Sequence, residues 1–443
     1  MKLWQKNTES LKEVEIFTVG RDRELDLLLA PFDVLGSLAH IRMLHSVELL
    51  SKSEMQELQK ELQEIYQEIT AGRFSLDEGV EDIHSQVEFV LTAKLGDTGK
   101  KIHSARSRND QVILDIKLYL RAEIERIVEE VKAFFDLLQS QSEKYKEFLL
   151  PGYTHFQLAM PSSFGLWFGA YAESLADDLV TLHGAWEVTN KNPLGSAAGF
   201  GSSFPVNRKL TTELLGFEDM NYNVVYAQMT RGKTERILAQ ALANIAATLS
   251  RLSMDATLYL NQNFDFISFP PELTTGSSIM PHKKNPDVFE LIRAHGNRIQ
   301  ALPNEISLML ANLPSGYHRD LQLLKESLFP ALKNLSDCIA MASLMISNVI
   351  VKPDILKDEK YKYLFTVEEM NKLVLQGMPL RDAYRKIAED VENNTFQTTR
   401  ELSHSHEGSM GNLHNASIKT RMENVVARFN FRGVNDALQN LLR

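Results

Sequence analysis

The chain has 443 residues, of which 44% are hydrophobic and 24% charged, with a formal net charge of −10 and one cysteine, Cys338. That length supports two or three domains and a large core, and the composition excludes disorder as the default. The acidic balance argues against a general nucleic-acid or membrane-surface binder, and a lone cysteine excludes an intrachain disulfide and fits a reducing compartment.

The first residues, MKLWQKNTESLKEVEIF, scatter charges and offer no apolar segment, so they do not read as a signal peptide. From Asp33 to about Thr70 the sequence reads as helix, broken at Ser51-Lys52-Ser53, restarted at Ser53 and stopped by Gly72. A mixed segment with Gly79, Asp82, His84, Gly96 and Gly99 leads to the polar run from His103 to Gln111. Ile113, Ile116, Leu120, Ile124, Ile127, Val131, Phe134 and Leu138 then recur three or four residues apart, with no Gly or Pro until Pro151. This spacing predicts one long helix with a single apolar stripe, suited to a bundle. A second helix is expected from near Ser162 to the breaker Asn192-Pro193, and a third after Gly232, on Leu238, Leu242, Ile245, Leu249 and Leu252. A fourth should start at Pro286 with Asn285 as its N-cap, and a fifth should run from about Glu326 to Val351.

Cys338 to Val351 is the most apolar stretch; it is too short for a membrane span and contains Asn348, which favours a buried helix. Cys338 therefore reads as an inert core thiol, and the protein as cytoplasmic. Beyond Pro353, Thr366-Val367-Glu368-Glu369 reads as a capping box, and Gly377-Met378-Pro379 separates that helix from LRDAYRKIAEDVE. The expected fold is all-α with little strand: an N-terminal helical domain (1–104), a central long-helix bundle (105–353) and a small C-terminal helical domain (354–443).

Absent motifs narrow the chemistry. There is no GxxxxGK[ST], GxSxG or HExxH, and Gly199-Phe200-Gly201 meets Phe204 where GxGxxG needs a third glycine. His404, His406 and His414 lie in a polar loop without Cys or carboxylate spacing, so they read as solvated rather than metal-binding. What stands out is four polar islands at the ends of bundle helices: Ser104–Gln111, Gly152–Gln157 (GYTHFQ), Thr274–Asp287 and Ser315–Lys325. They offer cations and amides for carboxylates (Arg108, Lys283, Asn285, Lys325), hydroxyls (Thr154, Ser277, Tyr317) and a histidine (His155). That inventory suits proton abstraction beside a carboxylate, where fixed cations and N–H donors must hold the developing dianion.

The order of residues is more specific still. GSSIMPHKKNPD resembles the signature loop of the fumarase/aspartase superfamily, whose members release fumarate by β-elimination. With SRNDQV (Ser107–Val112) and GYTHFQ it looks like the argininosuccinate lyase branch, and the likeness extends from about Phe17 to Val351. The resemblance implies reversible cleavage of argininosuccinate to arginine and fumarate without cofactor or metal. It also implies a homotetramer with a central bundle of five helices per subunit and sites shared between chains. Mapped by motif, Ser277 is the general base, Lys283 and Asn285 hold the aci-carboxylate, and His155 pairs with Glu290. Thr18, His84, Arg108, Asn109, Thr154, Tyr317, Gln322 and Lys325 resemble substrate-binding residues.

Three departures accompany the match. Thr18 stands where a serine is usual, and Asp22 in the same segment can be aligned as well; His282 replaces a glutamine; and GMPLRDAY differs from GxPFRxAH in the tail. Two alternatives stand beside this reading: another fumarate-releasing lyase, for adenylosuccinate or aspartate, and a non-catalytic relative like the lens crystallins.

Overall fold

A computed structural model describes residues 12–77 and 79–443, so the reading of the first eleven residues lies outside the described part. Five helices of five or more residues come first: α1 (Lys12–Val19), α2 (Asp22–Asp26), α3 (Ala30–Ser46), α4 (Lys52–Thr70) and α5 (Ile83–Leu95). Ser51, rather than Ser53, caps α4, in a reciprocal box with Glu54.

The body is built from α6 (Arg108–Lys144), α7 (Phe164–Thr189), α8 (Lys233–Leu260), α9 (Asp287–Met309) and α10 (Leu324–Ser347). Ser107 and Asp110 form the capping box that starts α6, and the predicted stripe from Ile113 to Leu138 is buried along it. These helices share one apolar core. Side-chain bonds fix their directions: Ser142 to Gly165 and Ser174 to Thr248 run α6, α7 and α8 alternately up and down. Ser250 to Asn297 and Ser327 to Glu305 do the same for α8, α9 and α10, while Gln141 to Ile346 sets α10 parallel to α6. The starts of α6, α8 and α10 therefore lie at one end, and those of α7 and α9 at the other. With 37 residues in α6, the ends are about 55 Å apart at 1.5 Å per residue.

A second apolar cluster lies beside the first end, where α3, α4 and α5 pack on Leu114 and Leu118 of α6. The tail forms α11 (Thr366–Leu375), α12 (Leu380–Glu392), α13 (Asn415–Val426) and α14 (Phe431–Leu441). Asn415 bonds Ser142 and Glu143 of α6, whereas Arg42 of α3 donates to the carbonyls of Asn440 and Leu441.

Several local expectations fail. Thr366 does not cap α11: it is the first helical residue, and its hydroxyl donates to the Tyr363 carbonyl of the preceding 3-10 segment. Pro286, not Asn285, is the N-cap of α9. The fifth helix stops at Ser347, and Ile350–Val351 pair with Ile267–Ser268 as a short antiparallel ladder. GYTHFQ is the tip of a β-hairpin, β1 (Leu149–Thr154) and β2 (Gln157–Ser163). His404 is not solvated: its Nε2 lies 3.1 Å from Glu368 and draws the tail loop onto α11. Cys338 is buried as expected, and burial pushes its thiol up to about 11.

Candidate active site

The site residues read from the sequence divide between the two ends of the bundle. At the start of α6, Arg108, His84, Tyr317, Gln322 and Lys325 line one narrow cavity. Arg108 comes from the first turn of α6, where the Ser107 cap fixes the helix start. Its guanidinium lies 2.9 Å from Asp82 and 3.4 Å from Glu81. Lys325, from the first turn of α10, is buried and lies 2.6 Å from Asp22 and 2.5 Å from Asp26. Burial alone would lower its pKa, but the two facing carboxylates outweigh that and raise it.

His84 is held more tightly still. Its Nδ1 is 2.8 Å from Asp33 and 3.4 Å from Asp115, and all three side chains are buried. Burial disfavours the imidazolium, yet Asp33, Asp115 and Asp82 raise its pKa to about 9. Asp33, His84 and Asp115 also bring ligand-type atoms within 4.8 Å of one another, the one such group among the described residues. The short Nδ1 contact to Asp33 accounts for it as an ion pair.

Two of the expected binders, Thr18 and Asn109, do not line this cavity. The Thr18 hydroxyl donates to the Val14 carbonyl, and the Thr18 carbonyl accepts from Arg319 and Gln322. Gln322 thus ties the end of α1 to the cavity mouth. Asn109 lies in the first turn of α6 with its backbone N–H on Ser107, and it is outside the cavity lining.

The other end carries the groups suited to chemistry. Ser277 Oγ accepts from the backbone N–H of Ile279 at 3.4 Å and of Met280 at 3.2 Å. Two converging amides are what a serine oxygen needs if it is to bear negative charge. The loop is closed at its neck: Asn285 N donates to Thr275 O at 2.8 Å, and Asn285 Nδ2 donates to Thr275 Oγ1 and Gly276 O. The Thr275 hydroxyl donates in turn to Asp287, at the start of α9. Lys283 is exposed near the tip, as is His282.

At the same end, His155 and Phe156 form the two-residue hairpin turn with φ of 53° and 56°. Left-handed backbone at both positions is what such a turn requires, but Asn-Gly would adopt it with less strain than a histidine and a phenylalanine. Strain retained on bulky side chains points to use of those side chains. Thr154 precedes them, exposed, while Glu290 sits in the first turn of α9. Among the described residues, neither the His155 nor the Glu290 side chain has a hydrogen-bond partner, so one chain does not join them.

Comparison with known proteins now decides the family. A model of a lyase family matches residues 2–301. An argininosuccinate lyase from Parabacteroides distasonis is 58% identical over 441 residues, covering 100% of this chain and 99% of its own. The chain belongs to the argininosuccinate lyase family. One from Bacteroides fragilis is 57% identical with the same coverage. The fold is shared more widely: an EDDS lyase in complex with formate superposes with a TM-score of 0.75 at 21% identity, over 98% of this chain and 95% of that one. Within this lyase family fold, several cavity residues escaped the sequence reading. Asp26, Glu81, Arg231 and Arg319 all line the cavity. Asp22 and Asp26 had a usable signal, four residues apart and so on one helix face. Arg231 and Arg319 had none.

Proposed function

We propose that this chain cleaves argininosuccinate reversibly to arginine and fumarate, without a cofactor. What supports the substrate is full-length identity of 58% to an argininosuccinate lyase together with the cavity of paired charges at the start of α6. The observation that carries the chemistry is the Ser277 turn. Ser277 Oγ, as an alkoxide held by the Ile279 and Met280 amides and by Lys283 in the loop, takes the proton from the succinyl carbon and becomes a neutral hydroxyl. The electron pair moves into the adjacent carboxylate, and Lys283 and Asn285 hold the resulting aci-carboxylate dianion. Asn285 must first release Thr275 and Gly276. The C–N bond then breaks, fumarate forms, and the guanidino nitrogen leaves as part of neutral guanidine; His155, oriented by Glu290, supplies the proton that makes it arginine.

These groups lie at the opposite end of the bundle from the Arg108–Lys325 cavity, with the 23 residues of α9 alone spanning about 35 Å, so on this reading a complete site takes its parts from different chains. Both ends expose apolar side chains suited to such contact: Phe156 and Ile279 at one, Phe200 and Tyr222 near the other. We propose a homotetramer, as the family resemblance implies, with the 105–353 segment as its core, flanked by 1–104 and 354–443.

The test is fumarate release, followed by ultraviolet absorbance, with argininosuccinate, adenylosuccinate and aspartate offered separately. Argininosuccinate alone should react; silence with all three from an assembled protein would favour a non-catalytic relative. For the shared site, an inactive Ser277 variant and an inactive Arg108 variant should regain part of the activity when dissociated and reassembled together. No recovery in verified mixed assemblies would sink it.

A further inference from the structure

Thr154 and His155 sit on a hairpin tip that has little of its own to hold it. Residues 154–158 are all exposed, and among the described residues their one side-chain hydrogen bond runs from Gln157 Nε2 to the neighbouring Phe156 carbonyl. A group that must meet a substrate to within a fraction of an ångström needs firmer support. The next residue inward, Tyr153, is built to supply it.

The hairpin is irregular just below the tip. Pro151 pairs with Pro161 but Tyr153 pairs with Leu158, so Gly152 alone stands opposite both Ala159 and Met160. A Cβ on Gly152 would lie 2.7 Å from the Met160 carbonyl oxygen, so the bulge closes only on glycine. Bulges raise the local twist and re-aim the side chains beyond them. Here the side chain beyond is Tyr153, whose ring stacks on Phe264 at 5.4 Å with 18° between the planes. Phe264 stacks in turn on Phe266 at 5.2 Å and 10°. Phe266 is fully buried and packs against Tyr259 of α8 at 5.6 Å. Three nearly parallel rings thus carry the tip into the core.

The stack joins three parts of the chain. Phe264 and Phe266 belong to the connector from α8 to the Ser277 loop. That connector continues through the Ile267–Ser268 ladder to Phe269, which packs on Phe289 of α9 at 5.5 Å. Tyr361, buried in the tail's 3-10 segment Glu359–Phe365, sets its ring 6.5 Å from Phe266 and its hydroxyl against that of Tyr153. Any apolar side chain at position 153 would meet the demand for burial, but a stacked ring with a hydroxyl partner fixes rotation as well as depth. We propose that Tyr153 is a positioning residue: turned by the Gly152 bulge onto Phe264, it holds the Thr154–His155 tip in the one orientation in which that tip meets the substrate. This rests on the tip acting in the reaction as proposed above.

The test is steady-state fumarate release from argininosuccinate by the full assembled protein, well below the melting temperature of each variant. Tyr153→Leu and Phe264→Leu should each lower kcat about 10- to 100-fold, the effect of a small misplacement, with KM within about 3-fold. The double variant should be no worse than the weaker single one, because both changes break one stack. Tyr153→Phe, which keeps the ring, should restore most of the lost kcat. Amide exchange of residues 152–158 should quicken in Tyr153→Leu while that of α6 stays unchanged. A kcat within about 3-fold of the parent, or losses that multiply in the double variant, would reduce Tyr153 to core packing and overturn the proposal. Should Tyr153→Leu not fold, Phe264→Leu is read in the same way. His155→Asn separates the two readings: full turnover in that variant faults the role given to His155, whereas the exchange rates and the Tyr153 series still decide what holds the tip.

Discussion

The two ends of the bundle are built on opposite principles. At the start of α6, charged side chains are buried and paired before any ligand arrives: Lys325 with Asp22 and Asp26, His84 with Asp33. At the far end, Ser277, Lys283 and His155 ride on an exposed loop and a hairpin tip whose hydrogen bonds stay within a few residues of the neck or turn. The first end is a rigid receptor whose order is maintained by the fold. The second is exposed and held by local bonds, and under the proposed mechanism it works beside another chain's surface. Stability and turnover should therefore respond at different ends.

The largest expected effect is on turnover. Ser277→Ala removes the proposed base and should lower kcat by about 10³-fold or more, while stability stays within about 0.5 kcal/mol because the loop is exposed. Fumarate release and thermal melting on the same preparation check both halves; near-normal turnover would remove Ser277 as base. Next in size is Lys325→Met, which leaves Asp22 and Asp26 facing each other without a cation. It should cost about 3–5 kcal/mol by denaturant unfolding, and a variant as stable as the parent would erase the contrast between the ends.

The smallest effect is a pH dependence confined to the first end. The His84 pKa is raised above its ordinary 6.5 to about 9. A raised histidine contributes its full stability below about pH 6.5 and loses it as pH rises through about 9, at most about 3 kcal/mol. His84→Gln should flatten this alkaline arm of the melting profile. An identical arm in the variant would place the titration elsewhere.

The long helices were legible because burial on one face forces apolar residues to recur every three or four positions, and α6 keeps that recurrence from Ile113 to Leu138. The hairpin was not. Its strands carry Pro151, Gly152 and Pro161, which argue against strand, yet Pro151 pairs opposite Pro161 in a two-stranded ribbon whose outer edges need no further partner. The signature loop was legible by residue order, but the direction of Asn285 was not, because capping α9 and closing the loop neck use the same side chain. Arg231 was invisible for a different reason. Its meaning comes from Leu321, which is 90 residues away and meets it only through the packing of α8 beside α10.

The length of α6 carries one further consequence. If the site is shared as proposed, a helix of this length keeps receptor and reagent at opposite ends of one chain, and a solitary chain should be inert by geometry, however well folded it is. Specific activity should then depend on protein concentration: dilution past the dissociation point of the proposed assembly should extinguish catalysis while circular dichroism records no loss of helix.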